Sequence, residues 1–236
     1  NGISTLGNLL AESAGCKIHR ETLVTGINRG PGGRWQIDPD SRDGVGEEFD
    51  DVVLALPAPQ AAELLPAEPP ELAGLKAALS ATRFQSQWSF MIGYGRADDV
   101  WSDEERYALV NPDREHPIAW LSHENAKPDR ISSEFTVVMA QMQPDWTLKN
   151  YDVPADELIE KVNCEVMQLL DKSATPIWHD AQRWRFSLPT GILDANAART
   201  AESTGIHIAG DSTTGKGRVS LALQSGLDLA GRLIDA

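Results

Sequence analysis

Cysteine is nearly absent from this sequence. Cys16 and Cys164 are the only two in 236 residues and stand far apart, which excludes a disulfide framework and any cysteine-built zinc site. Positive charge is also scarce: 21 Lys and Arg face 35 Asp and Glu, a net charge of −14. A field of that sign repels nucleic acid and anionic membrane, so neither is expected as a partner, and any anionic ligand must be held locally. There is no apolar run long enough to span a bilayer and no basic segment leading into a signal core, so the sequence reads as a cytoplasmic protein. The five histidines, His19, His116, His123, His179 and His207, lack metal-ligand spacing, and no Gly-x-Ser-x-Gly turn is present. Metal-dependent and serine-hydrolase chemistry are therefore not expected.

What remains is ordinary globular composition, 41% hydrophobic and 24% charged. Ile3, Leu6 and Leu10 recur at helical spacing before Gly15, which predicts an opening amphipathic helix. Val24 to Ile27 and Arg34 to Asp38 flank Gly30-Pro31-Gly32-Gly33 as a hairpin, followed by a polar surface loop over Pro39 to Asp50. Asp51 to Leu56 is a continuous apolar run stopped by Pro57, the pattern of a parallel strand covered on both faces, and Ala61, Leu64 and Leu65 continue at helical period. From Pro66 to Pro189 the texture becomes Trp-rich, with strands expected near Gln85 to Tyr94 and Glu134 to Gln141 and a helix from Pro154 to Asp171. In that helix Leu158, Val162, Val166, Leu169 and Leu170 form the apolar stripe, and Asp152 is available as its N-cap.

The stretch from Ile206 to Val219 carries the most chemistry. A short buried strand, Gly205 to Ala209, enters a glycine turn, Gly210 to Gly217, and then a helix from Arg218 to Ile234. Such a junction points unpaired amides and the positive helix end beyond the strand's carboxyl end. Val219, Leu223, Gly226, Ala230 and Leu233 are expected to pack on a sheet. Gly210 to Lys216 nearly matches a phosphate-binding loop, but Gly217 stands where a magnesium-binding hydroxyl is needed, and Asp211 would place a carboxylate among the phosphates. A nucleotide-binding P-loop is the remote alternative. The better reading makes Asp211 an acceptor for the hydroxyls of a ribityl or ribose chain.

The run Gly205 to Asp211, followed by Gly217-Arg218-Val219 and Gln224-Ser225-Gly226-Leu227, resembles the C-terminal flavin-contacting signature of the flavin-dependent amine oxidase superfamily. Gly2 to Leu10, Val24 to Ile27, Trp35 and Asp51 to Pro57 are similar in order and spacing to that superfamily's middle section, and Arg183-Trp184-Arg185-Phe186 most resembles its renalase-like branch. The resemblance implies an α/β fold: a partial Rossmann-like FAD domain from residues 1–65 and 190–236, with an inserted mixed or antiparallel-sheet substrate domain at 66–189. It implies that the Val24 backbone touches the adenine and that Leu56 and Pro57 line the cofactor cleft. Asp211, beside Gly210, would hold the ribityl hydroxyls, and the Val219 and Ser220 amides after Arg218 would face the flavin C2 carbonyl.

In the family's reaction, Trp184 would face the flavin and Arg185 or Arg183 would pair with an anionic part of a small-molecule substrate; the competing place for Trp184 is the core, as an aromatic whose N–H finds a partner. The activity implied is oxidation of an amine or a reduced nicotinamide-like ring, with electrons passed through flavin to oxygen. Trp88 and Trp120 are further pocket candidates, and the core is the competing place for both. His179, beside Asp180, is a candidate for a titrating pocket edge, and His207 is expected in the core. The family's opening Gly-x-Gly-x-x-Gly unit, which neutralises the dinucleotide pyrophosphate, has no counterpart here. The sequence therefore reads as a member lacking its first βαβ unit, whether truncated, cleaved or supplied by a second chain or an upstream segment. The alternative is a catalytically silent binding or scaffold domain that holds no flavin alone.

Overall fold

The computed structural model describes residues 4–40, 47–102 and 105–235. In chain order the elements are α1 (Ser4–Ala14), β1 (Val24–Arg29), β2 (Trp35–Pro39), β3 (Glu48–Phe49), β4 (Val52–Leu54), α2 (Ala58–Leu64), α3 (Glu71–Ala81), β5 (Phe84–Gly95), β6 (Ala108–Val110), β7 (Ile118–His123), β8 (Phe135–Met142), α4 (Pro144–Lys149), α5 (Ala155–Leu170), β9 (Trp178–Pro189), α6 (Ala195–Glu202), β10 (Ile206–Ile208) and α7 (Val219–Ile234). They group into two compact units, one of residues 4–16 and Ser86–Arg185, the other of Lys17–Gln85 and residues 186–235.

The first unit is built on an antiparallel sheet of order β6-β7-β8-β5-β9. Side chains alternate across a strand, so Trp88, Phe90, Ile92 and Tyr94 all leave β5 on one face. There they bury against Trp146 of α4 and Leu158, Val162 and Val166 of α5. Trp88 is thus core, its indole N–H donating to the Asn150 carbonyl at 3.1 Å, and the pocket role considered for it falls. The other face carries Met91 opposite Met139, and Trp120 opposite Gln141. Trp120 therefore points away from the helix-covered core.

Helix α5 differs from expectation at its ends. Pro154 occupies the N-cap, with no side-chain cap bond, because the Pro ring sets a helix-compatible φ without needing one; Asp152 lies outside the helix. Leu169 stays at the surface while Met167 is buried in its place, since the core-facing stripe continues from Leu158 through Val162 and Val166. Helix α1 forms and ends at Gly15, which takes φ +62°, yet Leu6, Leu9 and Leu10 remain exposed; Ile3 lies outside the described residues.

In the second unit, β1 and β2 form the hairpin, and Glu48–Phe49 returns beside Trp35 and Gln36 as a third strand. The polar stretch after Pro39 is thus not loop throughout. Glu48 is held there by its carboxylate, which accepts the Gly32 amide at 3.0 Å across the hairpin turn. The second sheet pairs β4 with β10 in parallel, Val52, Val53 and Leu54 opposite Ile206, His207 and Ile208. Val52, Leu54, Ile206 and Ile208 turn one face into a core with Trp35, Leu72, Leu75 and Leu79. Helices α2, α3 and α6 supply the rest of that core, so the sequence-based boundary at residue 66 falls between two helices that pack together.

Two expectations for this unit fail in the same way. Val53 is 45% exposed, so β4 is covered on one face only among the described residues. Helix α7 buries Leu229 alone, while Val219, Leu223 and Leu227 are exposed, Leu227 at 59%. The apolar face that reads as a packing face in sequence has no cover within the described residues.

Candidate functional site

Parallel pairing with Ile208 opposite Leu54 puts the carboxyl ends of β4 and β10 side by side, and the Ala209 amide extends the ladder to the Leu54 carbonyl at 3.1 Å. The residues that follow each strand, Leu56-Pro57 and Gly210-Asp211, therefore emerge at the same end of the sheet. That is where ligands bind in open α/β sheets. Gly210 has φ 118° and ψ −169°, a conformation that strains any residue with a Cβ, and a Cβ built there would meet nothing within 4 Å. The chain turns sharply into open space at this point.

The turn is tied to itself and to α7. The Gly210 carbonyl accepts the Thr213 hydroxyl at 2.8 Å, and the Asp211 carbonyl accepts the amides of Thr214 at 3.1 Å and Gly215 at 2.9 Å. The Gly210 amide donates to Ser225 Oγ of α7 at 2.7 Å. These bonds pin the Asp211 backbone, while its half-buried carboxylate accepts no hydrogen bond among the described residues. They also dispose of the phosphate-loop reading, because the Thr213, Thr214 and Gly215 amides, which a phosphate would need, donate to Gly210 and Asp211 carbonyls instead.

Helix α7 begins one residue after the loop. Arg218 is its N-cap and provides no side-chain cap, and the first turn holds no acidic residue. The Arg218 carbonyl accepts from the Leu221 and Ala222 amides, leaving those of Val219 and Ser220 without an acceptor among the described residues. In a chain with 35 carboxylates, an uncapped helix start of this kind is a place that can take a carbonyl oxygen or anion from outside. Leu56, Pro57, Gly210 and Asp211 follow the adjacent carboxyl ends of β4 and β10, and Arg218, Val219 and Ser220 open the helix whose Ser225 is bonded to Gly210. The Asp211 carboxylate is an acceptor for hydroxyls and the Val219 and Ser220 amides are donors, the polar groups that the ribityl chain and a ring carbonyl of a flavin would use.

Val24 is not part of this group. It starts β1 and lines a separate pocket of about 190 Å³ with His19, Ile37 and Phe49. Trp184 and Arg185 lie on β9 in the first unit. Trp184 is half exposed on the face opposite Arg183, and the Arg185 carbonyl accepts the Ser86 hydroxyl at 2.9 Å. Arg183 is committed elsewhere: its guanidinium lies 4.6 Å from the Tyr151 ring centroid and donates to the Tyr151 carbonyl, so it is a packing cation rather than a free anion binder. His179 pairs with Asp156 at 3.0 Å, and the Asp180 carboxylate accepts the Ala181 amide. His207 is buried as expected, with Nε2 at 2.7 Å from Asp51.

The residue that sequence reasoning passed over is Ser225. It was visible only as one letter of a motif, since the hydroxyl's partner lies fifteen residues earlier across a turn.

A parallel strand pair ending in an acidic glycine turn and a helix start, accompanied by a separate antiparallel-sheet unit, defines the class: a partial Rossmann-like cofactor domain with a second domain. The model of the flavin containing amine oxidoreductase family matches residues 1–234, and the chain belongs to that family. Among solved structures, a protein described as a protoporphyrinogen oxidase from Exiguobacterium sp. 255-15 superposes with TM-score 0.73 at 20% identity, over 98% of this chain and 51% of that one. Putrescine oxidase bound to putrescine gives 0.68 at 13% identity, over 100% and 53%. An oxidoreductase from Methanosarcina mazei gives 0.62 at 17%, over 94% and 52%. At these identities the likeness is one of fold. The chain spans about half the length of the solved structures it matches.

Proposed function

We propose that this chain is the substrate-domain and C-terminal flavin-site portion of a FAD-dependent oxidoreductase. The observation that carries the reading is that the Asp211 carboxylate, which directly follows β10, and the Val219 and Ser220 amides at the start of α7 make no hydrogen bond among the described residues. Asp211 would accept the ribityl hydroxyls, and the Val219 and Ser220 amides would hold the ring carbonyl at C2. When bound, the flavin supplies the redox chemistry, taking a hydride equivalent from an amine or a reduced nicotinamide-type ring and passing electrons to oxygen. The chain's own share would be to orient the ring from the second unit; within the first unit, the sheet face that carries Trp120, Met91 and Met139 is proposed as an apolar surface for substrate. Trp184 belongs to the same face by strand alternation and is proposed as the substrate-side aromatic.

The pyrophosphate needs a partner. Among the described residues no glycine-rich βαβ unit supplies its amides, and a net charge of −14 disfavours a dianion held without them. We infer that a further segment or a second chain provides that unit. The edge of β4 left unpaired among the described residues, the exposed Val53 and the apolar stripe of α7 give it a surface to cover. The test is to purify the protein from the longest reading frame that contains this chain, supply FAD, and record the visible absorbance. Bound flavin after gel filtration supports the reading; its absence returns the chain to the silent-scaffold alternative.

A further inference from the structure

Strand β10 pairs along one edge only among the described residues. The Gly205 carbonyl accepts the Val52 amide at 2.8 Å and the Ala209 amide donates to the Leu54 carbonyl at 3.1 Å, so the backbone groups of residues 205, 207 and 209 face β4. Alternation along the strand turns the amides and carbonyls of Ile206 and Ile208 to the other edge, where they have no partner among the described residues. An exposed edge would be served by water. Yet Ile206 is 0% and Ile208 8% exposed, which leaves water little access. Buried backbone groups are almost always paired, so two amides and two carbonyls in one row call for a partner from outside.

The space beside that edge has the form of a slot. A groove of about 390 Å³ lies between α6 and α7, with Ile208 in its lining, Ala198 and Arg199 on the α6 wall, and Leu221, Ser225 and Asp228 on the α7 wall. The free edge ends at Gly210, the next residue in the row, because its amide already donates to Ser225 Oγ at 2.7 Å. The charged lining residues balance, Arg199 and Arg232 against Glu202 and Asp228, and Arg232 pairs with Glu202 at 2.9 Å. In a chain of net charge −14 this is a neutral groove, and it suits an uncharged, apolar occupant.

We propose that this slot takes one β-strand of further polypeptide, apolar and uncharged, whose backbone pairs with Ile206 and Ile208 and stops short of Gly210. The matched solved structures hold enough further chain to supply a strand, since this chain covers only 51% of one and 53% of another. Such pairing shares with the flavin reading only a need for further polypeptide, and a flavin-free test lets either fail alone. The experiment is amide hydrogen exchange, read by NMR, in flavin-free protein made from the longest reading frame that contains this chain. The Ile206 and Ile208 amides exchange as slowly as that of His207, which is bonded to β4. Asp228→Trp and Arg199→Trp, at exposed positions on opposite walls, fill the slot; each speeds exchange at Ile206 and Ile208 about tenfold or more, the loss of one backbone hydrogen bond, while His207 keeps its rate and the circular dichroism spectrum is unaltered. Fast exchange at Ile206 and Ile208 beside a slow His207 in the wild type, or unchanged rates at both isoleucines in both folded variants, would each overturn the proposal.

Discussion

Ser225 Oγ and the Gly210 amide, 2.7 Å apart, form the hydrogen bond that ties helix α7 to the end of β10. The same hydroxyl lies 3.4 Å from the Gly210 carbonyl, so one side chain engages both polar groups of a residue held at positive φ. Ser225→Ala leaves a part-buried amide without its acceptor. The expected cost is about 1–2 kcal/mol, read as a lower urea midpoint with an unchanged slope. Because the clamp also sets where the helix begins relative to Asp211, flavin affinity in a flavin-competent form of the protein falls as well, whereas Ser225→Thr, which keeps the hydroxyl, preserves both.

The indole of Trp178 lies against Gly93 so closely that a Cβ added there would sit 2.2 Å from its Nε1. Both are sheet residues, and Gly93 is buried in the middle of β5. Gly93→Ala should destabilise the first unit by about 1–3 kcal/mol through overpacking, and the double variant with Trp178→Phe, which removes the clashing atoms, should recover a measurable part of the loss. Equal unfolding midpoints for the wild type and Gly93→Ala would contradict this contact.

His123 stacks on Trp101 with ring centroids 5.2 Å apart and 15° between planes. Burial, and secondly the nearby Arg96 guanidinium, hold its pKa below the usual 6.5, with Glu124 opposing. A histidine held neutral in the fold takes up its proton more readily when unfolded, so this group's contribution is fully present above the unfolded pKa of 6.5 and is lost as pH falls below it through the lower folded value. Thermal unfolding followed from pH 8 to pH 5 should show His123→Phe, which keeps a stacking ring, losing less stability on acidification than the wild type.

Glu124 is a carboxylate buried to 1% exposure, accepting from Ser122 Oγ at 2.8 Å and paired with Lys127 at 2.6 Å and Arg130 at 3.2 Å. The cations themselves reach solvent, so the buried acceptor carries the cost of disruption. Glu124→Leu removes that acceptor from Ser122 and both cations, and should destabilise the protein by about 2–4 kcal/mol. Lys127→Ala, losing one half-exposed partner, should cost well under half as much.

The parts of the fold readable in sequence were those set by local rules. Glycine at positions 30, 32 and 33 announced the β1–β2 hairpin, Pro57 ended the run that contains β4, and the spacing of Leu158, Val162 and Val166 gave α5. The candidate site could be read from sequence only because one strand, one turn and one helix start follow each other in the chain. Long-range pairings were not. Glu48 and Phe49 form a strand only because Trp35 is there to pair with, and α3 was absorbed into the wrong domain because nothing local to Glu71–Ala81 says that Leu72, Leu75 and Leu79 meet Ile206 and Trp35. Apolar periodicity likewise marked the stripe of α7 but could not tell a face packed within these residues from one left exposed.

The most direct test of the account is a titration of FAD into protein made from the longest reading frame containing this chain, wild type against Asp211→Asn. The substitution keeps size and shape and removes the charge that accepts the sugar-alcohol hydroxyls. Loss of charged hydrogen bonds predicts an affinity about tenfold or more weaker, with the unfolding midpoint of the flavin-free protein unchanged. Equal affinity of the two proteins for FAD would contradict the assignment of Asp211 and, with it, the placement of the flavin at the start of α7.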